Sequence, residues 1–357
     1  MAKSRSIPRE REWIEYLRSH SKSSAGVKLG IGDDCAILAP PRGHEILVTT
    51  DFTLETIHFR RDWHPPESVG HRCLTRGLSD LAAMGATPLA VFLSLALPVE
   101  LLQSWRGKLS WRDRFFSGFL SLANKYRVPL AGGDTAQSPR SLLTPAGKSS
   151  RAGGLALADV VLIGSAPRGR AIRRSGASIG DRIYVTGQLG GAAAELAQLG
   201  AAPRRFRGCT VSGAAGTHPH LFPEPRLKIG AWLLKNRHVT AAIDISDGLS
   251  TDLDHLCQES GLSATIEAAT LPVHPLAQTC TPEERLNLVL HGGEDYELLF
   301  TASPQARIPR RIAGVPVTAI GEMHPRRSGQ LRVLLAEEWN SRRCERPLPP
   351  AGWEHYR

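Results

Sequence analysis

With 357 residues, 41% hydrophobic and 22% charged, the chain has the composition of a globular protein long enough for two domains, each with its own core. No apolar run approaches the roughly 18–20 residues of a membrane span, and the polar opening MAKSRSIPRE lacks the apolar core of a secretory leader. The expectation is therefore a cytoplasmic protein without a membrane partner. A net charge of +10 raises nucleic acid as a partner, but the arginine pairs at 60–61, 173–174, 204–205, 310–311, 326–327 and 342–343 are scattered. With aromatics at 6% and no basic stripe, no nucleic-acid partner is expected. The six cysteines include no CxxC pair, which argues against a zinc site or a disulfide framework.

In chain order, the N-terminus reads as a helix, with Pro8 near its first turn and Trp13, Ile14 and Leu17 on one side. Residues 29–39, LGIGDDCAILA, form an acidic turn flanked by glycines and leading into an apolar strand. The stretch 46–59 reads as a strand ending at Thr49-Thr50-Asp51, then an extended piece closing on His58. Leu74, Leu78, Leu81 and Ala82 fall at helical spacing, with Gly85 as the stop, and Asp80 lies inside that pattern. A carboxylate buried there without a partner would be expensive. Residues 88–98 are a nearly continuous apolar strand covered on both faces. An amphipathic helix follows at 111–126, with Phe115, Phe119 and Leu122 as its core side. Next, VPLAGGDTAQS (128–138) gives a strand and then a glycine pair where backbone could approach a phosphate. Taken alone, that pair also reads as a plain structural turn.

Residues 139–154 read as a loop and 156–167 as a strand. GSAPRGRA (164–171) has the glycine spacing of a P-loop but lacks its Lys and Ser/Thr, so it is not a Walker motif. A domain boundary is expected at 176–177. Beyond it come a strand at 184–186, a glycine-rich turn, an alanine-rich helix, and a helix at 225–236. In AAIDISDGLSTDLDHL (241–256), Ile243 and Ile245 alternate with Asp244 and Ser246 as in a short strand; Leu249, Leu253 and Leu256 then take up helical spacing. HGGEDYELLF (291–300) is a second acidic turn running into a strand, and from Met323 the chain reads as a tail rich in Pro and Arg.

Acids recur beside glycine turns and strand ends in GDD, TTD, SD, GGDT, DISDG and GGED, over both halves of the chain. One such corner would be a capped helix with a solvated acidic face. Six suggest hard oxygen ligands for Mg²⁺ or Mn²⁺ rather than zinc, and phosphate-accepting glycines beside them suggest phosphoryl transfer. Walker A and protein-kinase signatures are absent.

The motifs GIGDDCAIL, VTTDFTLETIHF, LSDLAAMGATP, AGGDTAQSP, RRSGASIGDRIYVTG, DISDGLSTDL, GGEDYELLF and GWEHY occur in the order seen in the thiamine-monophosphate kinase family, and the chain resembles that family from about residue 28 onward. The resemblance implies the two-domain α+β fold of the aminoimidazole-ribonucleotide synthetase superfamily. Residues 1–176 would be an N-terminal mixed-sheet domain that binds ATP and Mg²⁺ and pairs in a homodimer. Residues 177–357 would be a C-terminal α/β domain covering the active cleft. It implies Asp34, Thr49, Thr50, Asp51, Asp80, Asp134, Asp244 and Asp247 as holders of several Mg²⁺ ions. Phe116, Gly133, Asp134, Arg174 and Ser246 would contact ATP, and His58, Glu294 and Trp353 thiamine monophosphate. No side chain would act as nucleophile or base. The chain departs from the family pattern at Gly77, at Ala136-Gln137 and in the longer 139–154 loop.

Two alternatives stay open on the residues alone. One is a sister ATP-dependent activity, purine ring closure or selenophosphate synthesis; the latter would want a reactive Cys beside Lys, which Cys35 after Asp33-Asp34 does not offer. The other is a non-catalytic phosphate- or RNA-binding protein.

Overall fold

The computed structural model describes residues 10–22, 24–103, 109–139, 154–209, 217–326, 329–339 and 342–355. Pro8 and most of the 139–154 loop lie outside the described residues. The chain divides into two compact units that interleave in sequence. Met1–Gly77, Pro88–Ser165 and Leu199–Thr217 make the first, and Leu78–Thr87, Ala166–Gln198 and His218–Arg357 the second.

The first stretch of chain supplies helix α1 (Glu10–His20), strands β1 (Val27–Leu29), β2 (Ile37–Leu38) and β3 (His44–Leu54), then α2 (Pro66–Ala83) and β4 (Thr87–Leu97). It continues with α3 (Trp111–Tyr126), β5 (Leu130–Gln137) and β6 (Leu157–Pro167). β1 and β2 pair antiparallel, and the other strands form a sheet in the order β3-β6-β4-β5. α3 shows how local sequence sets these elements. Ser110 and Asp113 close a reciprocal capping box at its start, worth about 1 kcal/mol. Phe115, Phe119 and Leu122 are 0–1% exposed, and Arg127 in the left-handed region ends the helix.

Two strands differ from the sequence reading. β3 does not stop at Asp51 but runs on to Leu54, because the two-residue alternation persists. Leu47, Thr49, Asp51 and Thr53 share the more buried face, while Ile46, Val48, Thr50 and Phe52 share the outer one. The Gly132-Gly133 pair makes no turn either. β5 stays a strand through both, parallel to β4 with Leu93 opposite Gly133 and Ser94 opposite Asp134. Gly133 holds φ +148°, and a Cβ there would lie 1.9 Å from the Leu93 carbonyl oxygen. The glycine is required by how closely the two strands approach.

The second unit is built from β7 (Arg182–Thr186), α4 (Gly191–Ala201), α5 (Leu227–Lys235), β8 (Val239–Asp244), α6 (Leu249–Ser260) and β9 (Leu262–Glu267). Then come α7 (Pro275–Gln278), α8 (Pro282–His291), β10 (Leu298–Ala302), β11 (Arg311–Ile312), β12 (Val315–Pro325), β13 (Val333–Trp339) and β14 (Arg342–Pro347). Its sheet runs β14-β13-β9-β12-β7-β10-β8, with β11 beside β12. Leu249, Leu253 and Leu256 of α6 are 0% exposed and pack on Ile183, Val185, Ile243 and Leu299 from the strands. Each leucine buried this way contributes roughly 1.5–3 kcal/mol. The segment that reads as a tail from Met323 is instead sheet. Val333 and Leu335 are fully buried, and β14, exposed along its length, closes the edge through its pairing with β13. Charged residues on an outer edge strand hid the alternation that would have signalled it.

Candidate active site

In the first unit, a cleft of about 890 Å³ gathers Asp34, Phe116, Gly133 and Asp134 with the apolar side chains Ile14 and Leu17 of α1. Asp33 Oδ1 accepts from the Asp34 amide at 2.9 Å in the acidic turn, and Asp134 Oδ1 accepts from the Thr135 amide at 2.8 Å within β5. Asp34 and Asp134 are exposed. Phe116 is 2% exposed and meets Trp13 edge-on at 5.1 Å, which places its ring in the floor of the cleft. That α1 supplies a wall of this cleft went unread in the sequence, where the helix shows only its amphipathic spacing.

The triplet Thr49-Thr50-Asp51 is split by the strand. Thr49 and Asp51 lie on one face of β3 and Thr50 on the other, with Ile46, Val48 and Phe52. His58 is half-buried; its Nδ1 accepts the Leu54 amide at 3.0 Å, which puts the proton of a neutral ring on Nε2. Arg72 donates to the His58 carbonyl at 3.0 Å and fixes the turn. Cys73, fully buried on α2, has its thiol pushed up to about 12, chiefly by burial, and is no nucleophile.

The second unit joins three motifs that are far apart in sequence. Asp244 ends β8, is 3% exposed, and accepts the Ser79 hydroxyl at 2.7 Å. Asp80 follows Ser79 on α2 and is half-buried. Oδ2 of Asp252 accepts the amides of Ser246, Asp247 and Gly248 at 3.1, 3.1 and 3.0 Å, fixing the corner between β8 and α6. The GGED turn docks on that corner, with the Glu294 amide donating to the Ser246 carbonyl at 2.8 Å. The C-terminal segment docks there too, with the Trp353 amide donating to the Asp247 carbonyl at 3.0 Å. A Cβ on Gly352 would lie 2.1 Å from that same carbonyl oxygen, so the GW pair needs its glycine. Glu294 takes a left-handed φ of +65°, and its carboxylate lies 3.1 Å from His220 Nδ1. The Trp353 ring is 51% exposed. Arg174 is placed apart: its carbonyl accepts from Ser260, at the far end of α6 and about 16 Å of helix from the Asp247 corner.

Burial lifts the Asp252 carboxyl well above its usual range, and the charges of Asp244 and Asp247 lift it further, against the backbone amides. Three carboxylates that repel one another call for a cation among them. Among the described residues, no three His, Cys, Asp or Glu side chains enclose an ion by themselves. Mg²⁺, which takes one or two carboxylates and completes its shell with water and phosphate oxygens, does not need such a cluster.

Asp295, which the sequence reading left out of the site, anchors the GGED turn. Buried at 9% exposure, it accepts the amides of Gly190 and Ala192 at 2.7 and 3.1 Å at the start of α4. Burial pushes its carboxyl up to about 7, against those amides. With the folded value above the unfolded one of 3.8, its contribution to stability is full below that value and falls as pH rises toward 7. Thermal melts from pH 5 to 8 are expected to show wild type losing stability relative to Asp295→Asn. A gap between the two that is constant across this range would refute the assignment.

Residues 32–149 match the family model described as AIR synthase related protein, N-terminal domain, and residues 178–333 the one described as AIR synthase related protein, C-terminal domain. The chain is 38% identical over 314 residues to the thiamine-monophosphate kinase of Escherichia coli strain K12, covering 86% of this chain and 88% of that one. Among solved structures it is similar to the thiamine-monophosphate kinase of Stenotrophomonas maltophilia K279a, with a TM-score of 0.72 and 30% identity over 90% of this chain and 94% of that one. It is also similar to the structure described as AaThiL complexed with AMPPCP and TMP, with a TM-score of 0.69 and 27% identity over 97% of each chain. These likenesses bear out the two-domain α+β fold. No described helix is long and apolar enough to cross a membrane.

Proposed function

The chain belongs to the thiamine-monophosphate kinase family and is an ATP-dependent kinase of that kind; we propose that it passes the γ-phosphoryl group of ATP directly to the phosphate of thiamine monophosphate, as a cytoplasmic homodimer. The observation that supports this reading is that the Glu294 and Trp353 amides donate to the Ser246 and Asp247 carbonyls, which ties the GGED turn and the C-terminal GW segment to the acidic corner.

In this reading the first unit holds ATP, with its base against Phe116 and its phosphates approaching the bare backbone of Gly133. Asp34, Thr49, Thr50, Asp51 and Asp134 contribute oxygens for Mg²⁺, as do Asp80, Asp244 and Asp247 in the second unit. Thr50 acts through its carbonyl, since its side chain lies on the opposite face from Asp51. Ser246 and Arg174 are assigned to ATP. Bound Mg²⁺ would neutralise the phosphate oxygens of donor and acceptor. Glu294 and Trp353 grip the cationic, aromatic acceptor, and His58 is assigned to the same substrate. The acceptor phosphate, with a second pKa near 6, is largely dianionic at pH 7 and needs no general base. The exposed row Ile46, Val48 and Phe52 (43, 60 and 61% exposed) on the edge strand β3 supports the homodimer.

The purified chain incubated with ATP, Mg²⁺ and thiamine monophosphate is expected to form thiamine diphosphate without a trapped phosphoenzyme. A ring-closed purine precursor or selenophosphate as product, or no turnover of ATP, would overturn the proposal. Trp353→Ala is expected to raise KM for thiamine monophosphate about tenfold, the loss of one cation–π contact of roughly 1–2 kcal/mol, with kcat nearly unchanged. Steady-state kinetics with the acceptor varied would check this, and an unchanged KM would remove Trp353 from the site.

A further inference from the structure

A second pocket, of about 700 Å³, opens beside the first residues of β8. Arg170, Arg173 and Arg237 line it and all three are exposed, while no acidic side chain does so. Among the described residues none of these three guanidinium groups has a hydrogen bond or an ion pair. Other arginines of the same unit meet carboxylates: Arg226 forks onto Glu297, Arg332 onto Asp254 and Arg343 onto Glu267. Thr240, in the pocket wall, turns its hydroxyl to Asp181 at 2.7 Å, and Asp181 is itself 2% exposed and bound by the Ser178 amide. The carbonyls ending α5 carry about half an elementary negative charge, too little to balance three cations.

Like charges gathered in one concavity repel unless an anion lies among them. Guanidinium groups match phosphate oxygens in paired hydrogen bonds, and the volume suits a small organic ligand. Leu233 and Ile172, 1% and 8% exposed, give the pocket an apolar floor. The wall at Thr240 lies four residues before Asp244, about 13 Å along the strand, so the pocket is separate from the acidic corner. The Walker-like but incomplete GSAPRGRA segment ends in this wall, which gives its arginine a use that phosphoryl transfer does not.

We propose that this pocket binds an organic polyphosphate anion through Arg170, Arg173 and Arg237, without a metal ion. The test needs no turnover, so it stands or fails independently of the kinase reading. The full chain is titrated calorimetrically with inorganic tripolyphosphate in EDTA, where the acidic residues repel anions and only the arginines attract them. Expected is one site per chain that weakens with added salt. Affinity should fall at least about tenfold in Arg237→Gln and vanish when all three arginines become Gln, with the melting temperature in the absence of anion not lowered and KM for ATP unchanged. Displacement by ATP or by thiamine diphosphate supports the proposal, and their relative affinities tell which compound the pocket takes. Absence of binding, binding indifferent to the triple substitution, or tighter binding of a single-stranded oligonucleotide to the same arginines would overturn it.

Discussion

Asp244→Asn is expected to lower turnover by at least about a thousandfold, about 4 kcal/mol of transition-state stabilisation, while the chain stays folded. The asparagine keeps an oxygen for the Ser79 hydroxyl, now 2.7 Å from Asp244. It also removes one of the two neighbouring charges that lift the Asp252 carboxyl. In EDTA the variant should therefore melt at or above the wild-type temperature, the reverse of what loss of a merely structural carboxylate would do. Adding Mg²⁺ should raise the melting temperature of wild type more than that of the variant. Kinetics and melts on the same preparations decide the point. Activity within tenfold of wild type would remove Asp244 from the machinery, and a fold that collapses would make its role structural.

Gly133→Ala is expected to cost more than about 3 kcal/mol and to abolish activity with it. Two penalties add at this residue. A φ of +148° lies outside the range of an L-residue, and the new Cβ would meet the Leu93 carbonyl oxygen at 1.9 Å. β5 would have to part from β4 at the step that presents Asp134. Gly43→Ala separates the two penalties, because Gly43 has φ +75° with nothing within 4 Å and should cost only about 1–2 kcal/mol. Urea midpoints of both variants give the comparison. Equal midpoints would show that the contact with Leu93 carries no cost.

Elements governed by short-range chemistry were legible from the chain alone. The α3 sequence carries its own cap, apolar spacing and stop, and the helix runs where that spacing places it, over Trp111–Tyr126. α6 likewise follows from Leu249, Leu253 and Leu256. The acids near the site could be named from their recurrence beside glycines, since hard-ligand chemistry depends on residue type more than on geometry. Asp295 gave no such signal, because its partners are backbone amides about a hundred residues away.

What the sequence determined by itself, then, was the inventory: which helices form, which side chains can bind metal and phosphate, and the order of motifs that marks the family. Only the tertiary structure decided how that inventory is used. It sent Thr50 to the face opposite Asp51, kept the glycine pair of β5 inside a strand, turned the arginine-rich tail into sheet, and stitched Glu294 and Trp353 to the Asp247 corner. Helix caps and side-chain spacing act over a few residues and are written locally. Strand register and backbone docking depend on partners tens to hundreds of residues away, and those partners are chosen by packing of the whole chain.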